Sequence, residues 1–533
     1  LLVGWRRGAW PRGVPWRRVA GAALVLAALY AVPFVVGGSS IRSGDSPWHM
    51  GRTHHLLGGE IVPGGPAPAF DRNGYPWGIH AVMATMVRLV PGSDPADALT
   101  ALSFTVSGAL PLAAACLARR VEPRAGWAGA ACMALIGGFG WVEAGHPTFF
   151  TSPDAARYGA DLMTASPNGL YALLPPALPR ELGLSLVGLL GVLATFAARR
   201  DRLRPAAVLG GCLGALGLLS VPMGLNAGAW IVAAALAVGR RRLALLVCVA
   251  LPAILVFALW ALPAGIGYLT YGGFVDITPN LGREWPLSTA LTSWGLLLPL
   301  AAAGLAITIT SRSSGARALV AMGAAAAAML GVAIVRGLLE WQVLGVPHLL
   351  HHGRMWPPAH LAASALGGVA LYAGFRALRA RRPRVAVAGV SALLLLGVVS
   401  PVFASAGLTG IIQSSGDGFI YSDEDFQEGS FVMEAARYLD PQDVVAAHGA
   451  AHLDVYLFQF SGARIANFDD PRQTTYDVRI RYRDLADRWY RRMRHGGFEA
   501  DFAAMPAGRA PEDARVLARG AHGGRTFVLI DRN

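Results

Sequence analysis

The chain has 533 residues, of which 54% are hydrophobic and 15% charged, and its formal net charge is +13. Soluble domains carry about 25% charged residues, so this composition excludes an ordinary soluble protein and indicates a polytopic membrane protein. Residues 1–404 hold 31 Arg against 14 acidic residues, whereas residues 405–533 hold 15 Arg against 19. Such an uneven distribution is typical of membrane topology and argues against a nucleic-acid-binding surface.

Eleven apolar segments have about the length that a transmembrane helix needs. They cover about 19–37, 97–117, 125–144, 181–198, 205–221, 226–239, 243–263, 289–310, 317–336, 357–375 and 384–404. With the N-terminus in the cytoplasm, the Arg-rich connections 119–124, 199–204, 240–242, 312–317 and 376–384 all fall on the cytoplasmic side, as the positive-inside rule requires. Pro222, between two of these segments, and Pro252, within one, are candidates for helix breaks.

The predicted fold class is therefore a polytopic α-helical membrane protein of about eleven transmembrane helices, in the plasma membrane, with an extracytoplasmic C-terminal domain. Residues 1–404 form the transmembrane domain, and its outer loops are 38–96, 145–180, 264–288 and 337–356. Residues 405–533 form a small soluble α/β domain, because short helical and strand patterns alternate there. Those patterns predict helices at 431–439, 451–460 and 482–494, and strands at 443–447, 464–467 and 526–530.

The first outer loop begins with a polar stretch, Gly44-Asp45-Ser46-Pro47-Trp48-His49. A carboxylate at a membrane surface can take a proton from a hydroxyl group, which makes Asp45 the leading candidate for a general base. Asp before Ser-Pro also fits the cap of a surface helix, and the two interpretations are compatible. His49 follows one helical turn later and would share the face of Asp45. Arg52, His54 and His55 are interpreted as interfacial residues.

A second polar cluster precedes the tenth predicted span. His348, His351, His352 and Arg354 suit a phosphate group, because a guanidinium can bond two phosphate oxygens. The alternative is an interfacial belt in which Arg354 reaches the headgroups. The weaker candidates in the other outer loops are Asp154, Asp161 and Arg283.

The predicted spans hold almost no ionisable groups. Ion-coupled transporters usually place acids or unwound segments near the middle of the membrane, so this pattern favours chemistry at the outer surface. A non-enzymatic lipid or polysaccharide transporter, or a cell-envelope assembly factor, is the alternative function. A glycan polymerase or ligase that uses a lipid-pyrophosphate donor is a third candidate.

The architecture, together with the Gly44–His49 stretch and the segment Gly74-Tyr75-Pro76-Trp77-Gly78-Ile79-His80, resembles the GT-C superfamily of membrane glycosyltransferases, in particular bacterial, actinobacterial members. The resemblance implies transfer of a sugar from a polyprenyl-phosphate carrier to a glycan, lipid or protein hydroxyl outside the membrane. It also implies that Asp45 is the general base. Many members have a paired acid in this loop, whereas here the companion is His49; Asp154 and Asp161 are placed as second acids by position alone.

The sequence thus predicts an inverting glycosyltransferase, with Asp45 and His49 as catalytic residues and Arg354, His348, His351 and His352 on the donor phosphate. Its predicted partners are the polyprenyl-linked sugar donor, a glycan or lipid acceptor and membrane lipids, with no nucleic acid. No cofactor is indicated with certainty. A divalent metal remains open, because Asp45 and His49 alone are too few ligands to define a metal site.

Overall fold

The computed structural model describes residues 46–61, 76–136, 179–199, 202–272, 294–339, 350, 352–396, 429–450, 453–467, 484, 491 and 498–532. Helices make up most of these ranges, and a small sheet lies near the C-terminus. The helices that precede the sheet are α1 Ser46–Leu57, α2 Gly78–Leu89, α3 Pro95–Val121, α4 Gly126–Leu135, α5 Pro179–Arg199, α6 Leu203–Leu219, α7 Val221–Val238, α8 Arg242–Thr270, α9 Leu297–Thr310, α10 Ser314–Leu338, α11 His352–Arg381 and α12 Pro383–Leu396.

Each predicted span from 97–117 onward overlaps one of the helices α3 to α12, whereas the predicted span 19–37 lies outside the described residues. Five helices of the described part are long and apolar enough to cross a membrane: 182–199, 221–238, 242–270, 314–336 and 354–381. The surface of α8 agrees with a membrane location. Its side chains Ile254 and Leu255 are 64% and 71% exposed, and so apolar a surface is expected to face lipid or another protein.

The two prolines differ in their effect: the chain breaks between α6 and α7 next to Pro222, whereas α8 runs through Pro252. Pro222 lies in the first turn of α7, where the missing N–H costs nothing, and α7 therefore starts earlier than the predicted span 226–239. Pro252 and Pro263 both lie inside α8, which is uninterrupted over its full length of 29 residues.

Several Arg-rich connections lie at one end of the bundle, which we call the Arg-rich end. Glu122, after α3, pairs with Arg376 of α11 at 3.9 Å. A Cβ at Gly315, in the first turn of α10, would overlap the carbonyl of Arg120. Arg199, at the end of α5, is close enough to Arg120 to act on its charge. The connections 119–124, 199–204, 312–317 and 376–384 thus share one end, as the charge pattern predicts.

The C-terminal part forms a five-stranded mixed sheet in the order β2-β1-β3-β5-β4. Its elements are α13 Phe431–Ala436, β1 Val444–Ala447, α14 Leu453–Ser461, β2 Arg464–Asn467, β3 Phe502–Pro506, β4 Val516–His522 and β5 Arg525–Asp531. Strands β2, β1 and β3 are parallel, and β3, β5 and β4 are antiparallel.

The predicted helices at 431–439 and 451–460 and the three predicted strands all match observed elements. Strands β3 and β4 were not predicted from the sequence. Strand β3 has the sequence Phe-Ala-Ala-Met-Pro, which lacks the β-branched residues that mark a strand. Most of the predicted helix 482–494 lies outside the described residues.

Candidate active site

Helix α1 begins at Ser46, the residue after Asp45 in the sequence, and it ends at a glycine pair. Gly59 has φ +98, a left-handed conformation that favours glycine. The N–H of Glu60 donates to the carbonyl of His55 at 3.0 Å, and the N–H of Gly59 to that of Leu56 at 3.3 Å. This pair of bonds is a Schellman motif. The Gly-Gly sequence therefore fixes where α1 stops and turns Glu60 back toward the helix.

Helices α1 and α2 pack side by side and bury polar side chains between them. His49, Arg52 and His80 are all 2% exposed or less. The Nδ1 atom of His49 lies 3.0 Å from the Nε2 atom of His80, at hydrogen-bond distance. Next to this pair, the Thr53 hydroxyl donates to the carbonyl of His49 at 2.7 Å. The two helices thus hold an imidazole pair in a fixed position at the start of α1.

Burial and the neighbouring Arg52 determine the electrostatics of this pair. Burial, followed by the neighbouring His49, Arg52 and His55, lowers the pKa of His80 well below its usual value, while a hydrogen bond to the backbone of Trp77 acts in the opposite direction. Burial and the adjacent His55 lower the pKa of His54 to about 4. These histidines are therefore neutral at pH 7, and Arg52 supplies the fixed positive charge.

The interpretation of Arg52 and His55 as interfacial residues is wrong. The exposed fraction is 1% for Arg52 and 0% for His55. The side chains lie between α1 and the elements packed on it, where a charged group needs partners. His55 finds one in Glu60, whose Oε1 atom is 2.9 Å from its Nδ1 atom. His54 is partly buried.

The start of helix α11 lies at the same end of the bundle as α1. Helix α6 leaves the Arg-rich end at Leu203, and its other end contacts α2: a Cβ at Gly78 would come within 2.8 Å of the Leu218 carbonyl carbon. Helix α7 begins two residues after α6 ends, and the amide of its Asn226 contacts the sulfur of Met355 at 3.0 Å. Arg354, the residue before Met355, is partly buried.

Of the predicted site residues, His49 and Arg354 are thus placed at one end of the bundle, opposite the Arg-rich connections. His352 starts α11. Asp45, Asp154, Asp161, Arg283, His348 and His351 lie outside the described residues. Within the described ranges, no three or more His, Cys, Asp and Glu side chains are grouped so as to hold a metal ion. Asp45, one of the two residues considered as metal ligands in the sequence, lies outside those ranges.

His80 and Glu60 were not predicted to have a role in the site. A signal for His80 was present: the buried residues of α2 are Ile79, His80, Met83 and Ala84, so a histidine occupies its apolar face. Glu60 carries no such local pattern. The expectation that the spans hold almost no ionisable groups overlooks His360 of α11, which is fully buried and whose ring nitrogens have no hydrogen-bond partner among the described residues.

Solved structures of membrane glycosyltransferases have a similar fold. ArnT from Cupriavidus metallidurans matches with a TM-score of 0.52 both bound to undecaprenyl phosphate and in the apo state, at 13% and 14% identity. In both comparisons the match covers 96% of this chain and 98% of ArnT. The oligosaccharyltransferase of Archaeoglobus fulgidus, tethered to an acceptor peptide with the NVT sequon, matches with a TM-score of 0.47 at 11% identity over 91% of this chain and 69% of its own.

No family model matches the sequence, and no curated protein does. The match to ArnT extends over nearly the full length of both chains, and it agrees with the resemblance that the first-loop motifs indicate. The chain therefore has the fold of the GT-C membrane glycosyltransferases.

Proposed function

We propose that this protein is a membrane glycosyltransferase that moves a sugar from a polyprenyl-phosphate donor to a hydroxyl group of a glycan, lipid or protein. The reaction takes place on the outer face of the plasma membrane, with the N-terminus of the chain in the cytoplasm. Residues 1–404 form the transmembrane domain, and residues 405–533 form the extracytoplasmic domain. The crystal structure of ArnT with undecaprenyl phosphate supports the choice of donor class.

One observation carries the proposal. Helix α1, which follows Asp45 directly, and the start of α11, which carries Arg354, lie at one end of the helix bundle, opposite the Arg-rich end. An enzyme of this class needs a base for the acceptor and a cation for the lipid phosphate on the same side of the membrane. A transporter would instead need polar groups across the membrane.

In the proposed mechanism, the acceptor hydroxyl attacks the anomeric carbon of the donor sugar while Asp45 takes the hydroxyl proton. The bond between the anomeric carbon and the phosphate oxygen breaks, and its electron pair leaves with the polyprenyl phosphate. Attack from the face opposite the phosphate inverts the anomeric configuration. His49, held by His80, lies one helical turn from Asp45 and orients the acceptor.

Negative charge develops on the departing phosphate, and a positive group held in place stabilises it. Arg354 has this role, with help from His348, His351 or His352. Its guanidinium can bond two phosphate oxygens at once, which an ammonium group cannot do with the same geometry.

The test is a transfer assay on purified protein with a radiolabelled polyprenyl-phosphate sugar, comparing wild type with Asp45→Asn at equal protein levels. Loss of the general base should slow transfer by about 100-fold to 10,000-fold. Asp513→Asn is the matched control, because this exposed residue lies in the C-terminal part and undergoes the same change of charge. Wild-type turnover of Asp45→Asn would refute the assignment. Movement of intact donor across the membrane without transfer would favour a transporter.

A further inference from the structure

The C-terminal part of the chain packs directly on helix α1. The ring of Trp48 lies 5.4 Å from that of Phe458 in α14, and Trp48 belongs to the same hydrophobic cluster as the residues of the C-terminal sheet. A Cβ at Gly51 would overlap the Phe458 ring, and one at Gly462 would come within 2.8 Å of His54 Cβ. The middle of α1 is therefore in close contact with α14, and glycine on each side makes this contact possible.

Polar contacts also connect the end of α1 to the C-terminal part. The Oε1 atom of Glu60 accepts hydrogen bonds from His55 at 2.9 Å, from Gln442 at 2.8 Å and from Arg464 at 3.3 Å. His55 belongs to α1, whereas Gln442 lies just before β1 and Arg464 begins the neighbouring strand β2. Because a carboxylate only accepts, the Nδ1 atom of His55 carries the proton of this bond.

Among the ion pairs that the described residues of the C-terminal part make, the Glu60–Arg464 pair has both side chains mostly buried, whereas the Arg of each other pair is exposed. The exposed fraction of the side chain is 18% for Glu60 and 12% for Arg464, whereas it is 76% for Arg515 in its pair with Asp531. Exposed pairs contribute little because water and salt screen them, but a partly buried carboxylate with several donors is costly to disrupt. Removing the Glu60–Arg464 ion pair should therefore loosen the end of α1.

We propose that the C-terminal domain positions helix α1 for catalysis through Glu60 and Arg464. The two residues touch neither substrate nor the reacting atoms; they are positioning residues that act through α1 on Asp45 and His49. The Schellman turn at Gly59 directs Glu60 toward His55, and the sheet then holds Glu60 from the other side. This inference rests on the proposed function for its effect on catalysis, but not for the physical coupling between the sheet and α1.

The experiment uses the full-length protein in nanodiscs, and it compares wild type with Arg464→Ala, Arg464→Lys, Glu60→Ala and the double variant Glu60→Ala/Arg464→Ala. Hydrogen–deuterium exchange of residues 46–61 reports the coupling, and the transfer assay reports its consequence. Arg515→Ala is the matched control. We expect faster exchange in α1 for Arg464→Ala and a turnover reduced by about 10-fold to 100-fold, with the KM for donor changed less than about twofold.

Two further results are expected from a positioning role. Arg464→Lys should restore part of the turnover, because it keeps the charge, and the double variant should be no worse than the more affected single variant. A thermal unfolding measurement on each variant identifies those that fail to fold, and Arg464→Lys then serves as the milder change. Unchanged exchange in α1 for a folded Arg464→Ala protein would overturn the proposal. If wild type shows no transfer while α1 exchange still responds, the proposed function fails and the coupling stands.

Discussion

The imidazoles of His49 and His80 meet at 3.0 Å, Nδ1 to Nε2, although the two residues are 31 positions apart in the chain. In such a contact one nitrogen donates a proton and the other accepts it, so the two rings cannot both be fully protonated. Burial next to Arg52 disfavours further positive charge, in agreement with the lowered pKa of His80. His80 therefore holds the ring of His49 in one orientation, four positions after the proposed base in the sequence.

Replacing His80 should impair catalysis through His49. In His80→Phe, the Nδ1 atom of His49 loses this partner while it remains buried, which costs about 1–3 kcal/mol. Because the His49 ring is then no longer held in place, we expect turnover to fall by about 10-fold to 100-fold. His80→Gln should be milder, since an amide can still donate or accept. The measurement is kcat and KM for the acceptor across pH 5 to 9. His448→Gln, in the loop after β1, is the control. A wild-type pH profile in His80→Phe would contradict this role.

Acidification should destabilise the protein through His54. The pKa of His54 is lowered to about 4 in the folded state, against about 6.5 in an unfolded chain. Between these values the unfolded state binds the proton and the folded state does not, so stability falls as pH falls from 6.5 toward 4. One such histidine contributes at most about 1.4 kcal/mol per pH unit.

The measurement for His54 is the thermal unfolding midpoint of wild type and His54→Gln in the same detergent between pH 4 and pH 7.5. The difference between the two proteins isolates His54 from other titrating groups. The midpoint of the variant should fall less on acidification than that of wild type. Parallel curves for the two proteins would contradict the assignment.

Replacing Arg354 should weaken use of the phosphate-bearing donor more than use of the acceptor. Arg354→Ala removes a charged hydrogen-bond donor from the proposed phosphate site, and we expect a loss of about 10-fold or more in kcat/KM for the donor. Arg354→Lys should recover only part of it, because an ammonium lacks the planar fork. Arg376→Ala is the control, since Arg376 lies in the same helix at the Arg-rich end and is 71% exposed. Equal effects on donor and acceptor would argue against a phosphate contact.

Gly51 should be intolerant of any side chain, because a Cβ there would overlap the Phe458 ring. We expect Gly51→Ala to lower the free energy of unfolding by about 1–3 kcal/mol, as overpacking does. Phe458→Leu should restore part of the loss when combined with it. Gly374→Ala in α11 is the matched control, since a Cβ at Gly374 meets nothing within 4 Å. The control should be neutral or stabilising, and an unaffected Gly51→Ala protein would disprove the close contact.

Much of the helical architecture follows from local sequence. A run of about 20 apolar residues can satisfy its backbone groups in a membrane only as a helix, so the spans near 181–198 and 243–263 are evident from hydropathy. The observed helices α5 and α8 cover both. Strand β3 was missed for the converse reason: five residues of low β-propensity become a strand only because β1 and β5 pair with them on either side.

In the candidate site, too, some features follow from local sequence and others from contacts between distant residues. The start of α1 at Ser46-Pro47 could be predicted from the local sequence, because Pro favours the first turn of a helix. Its end at Gly59 is also a local effect, because glycine adopts the left-handed conformation most readily. The pairing of His49 with His80 and of Glu60 with Arg464, 404 residues apart, was decided only by the tertiary structure. A residue's burial depends on which distant elements pack against it, so the sequence alone did not show that Arg52 is buried in the folded protein.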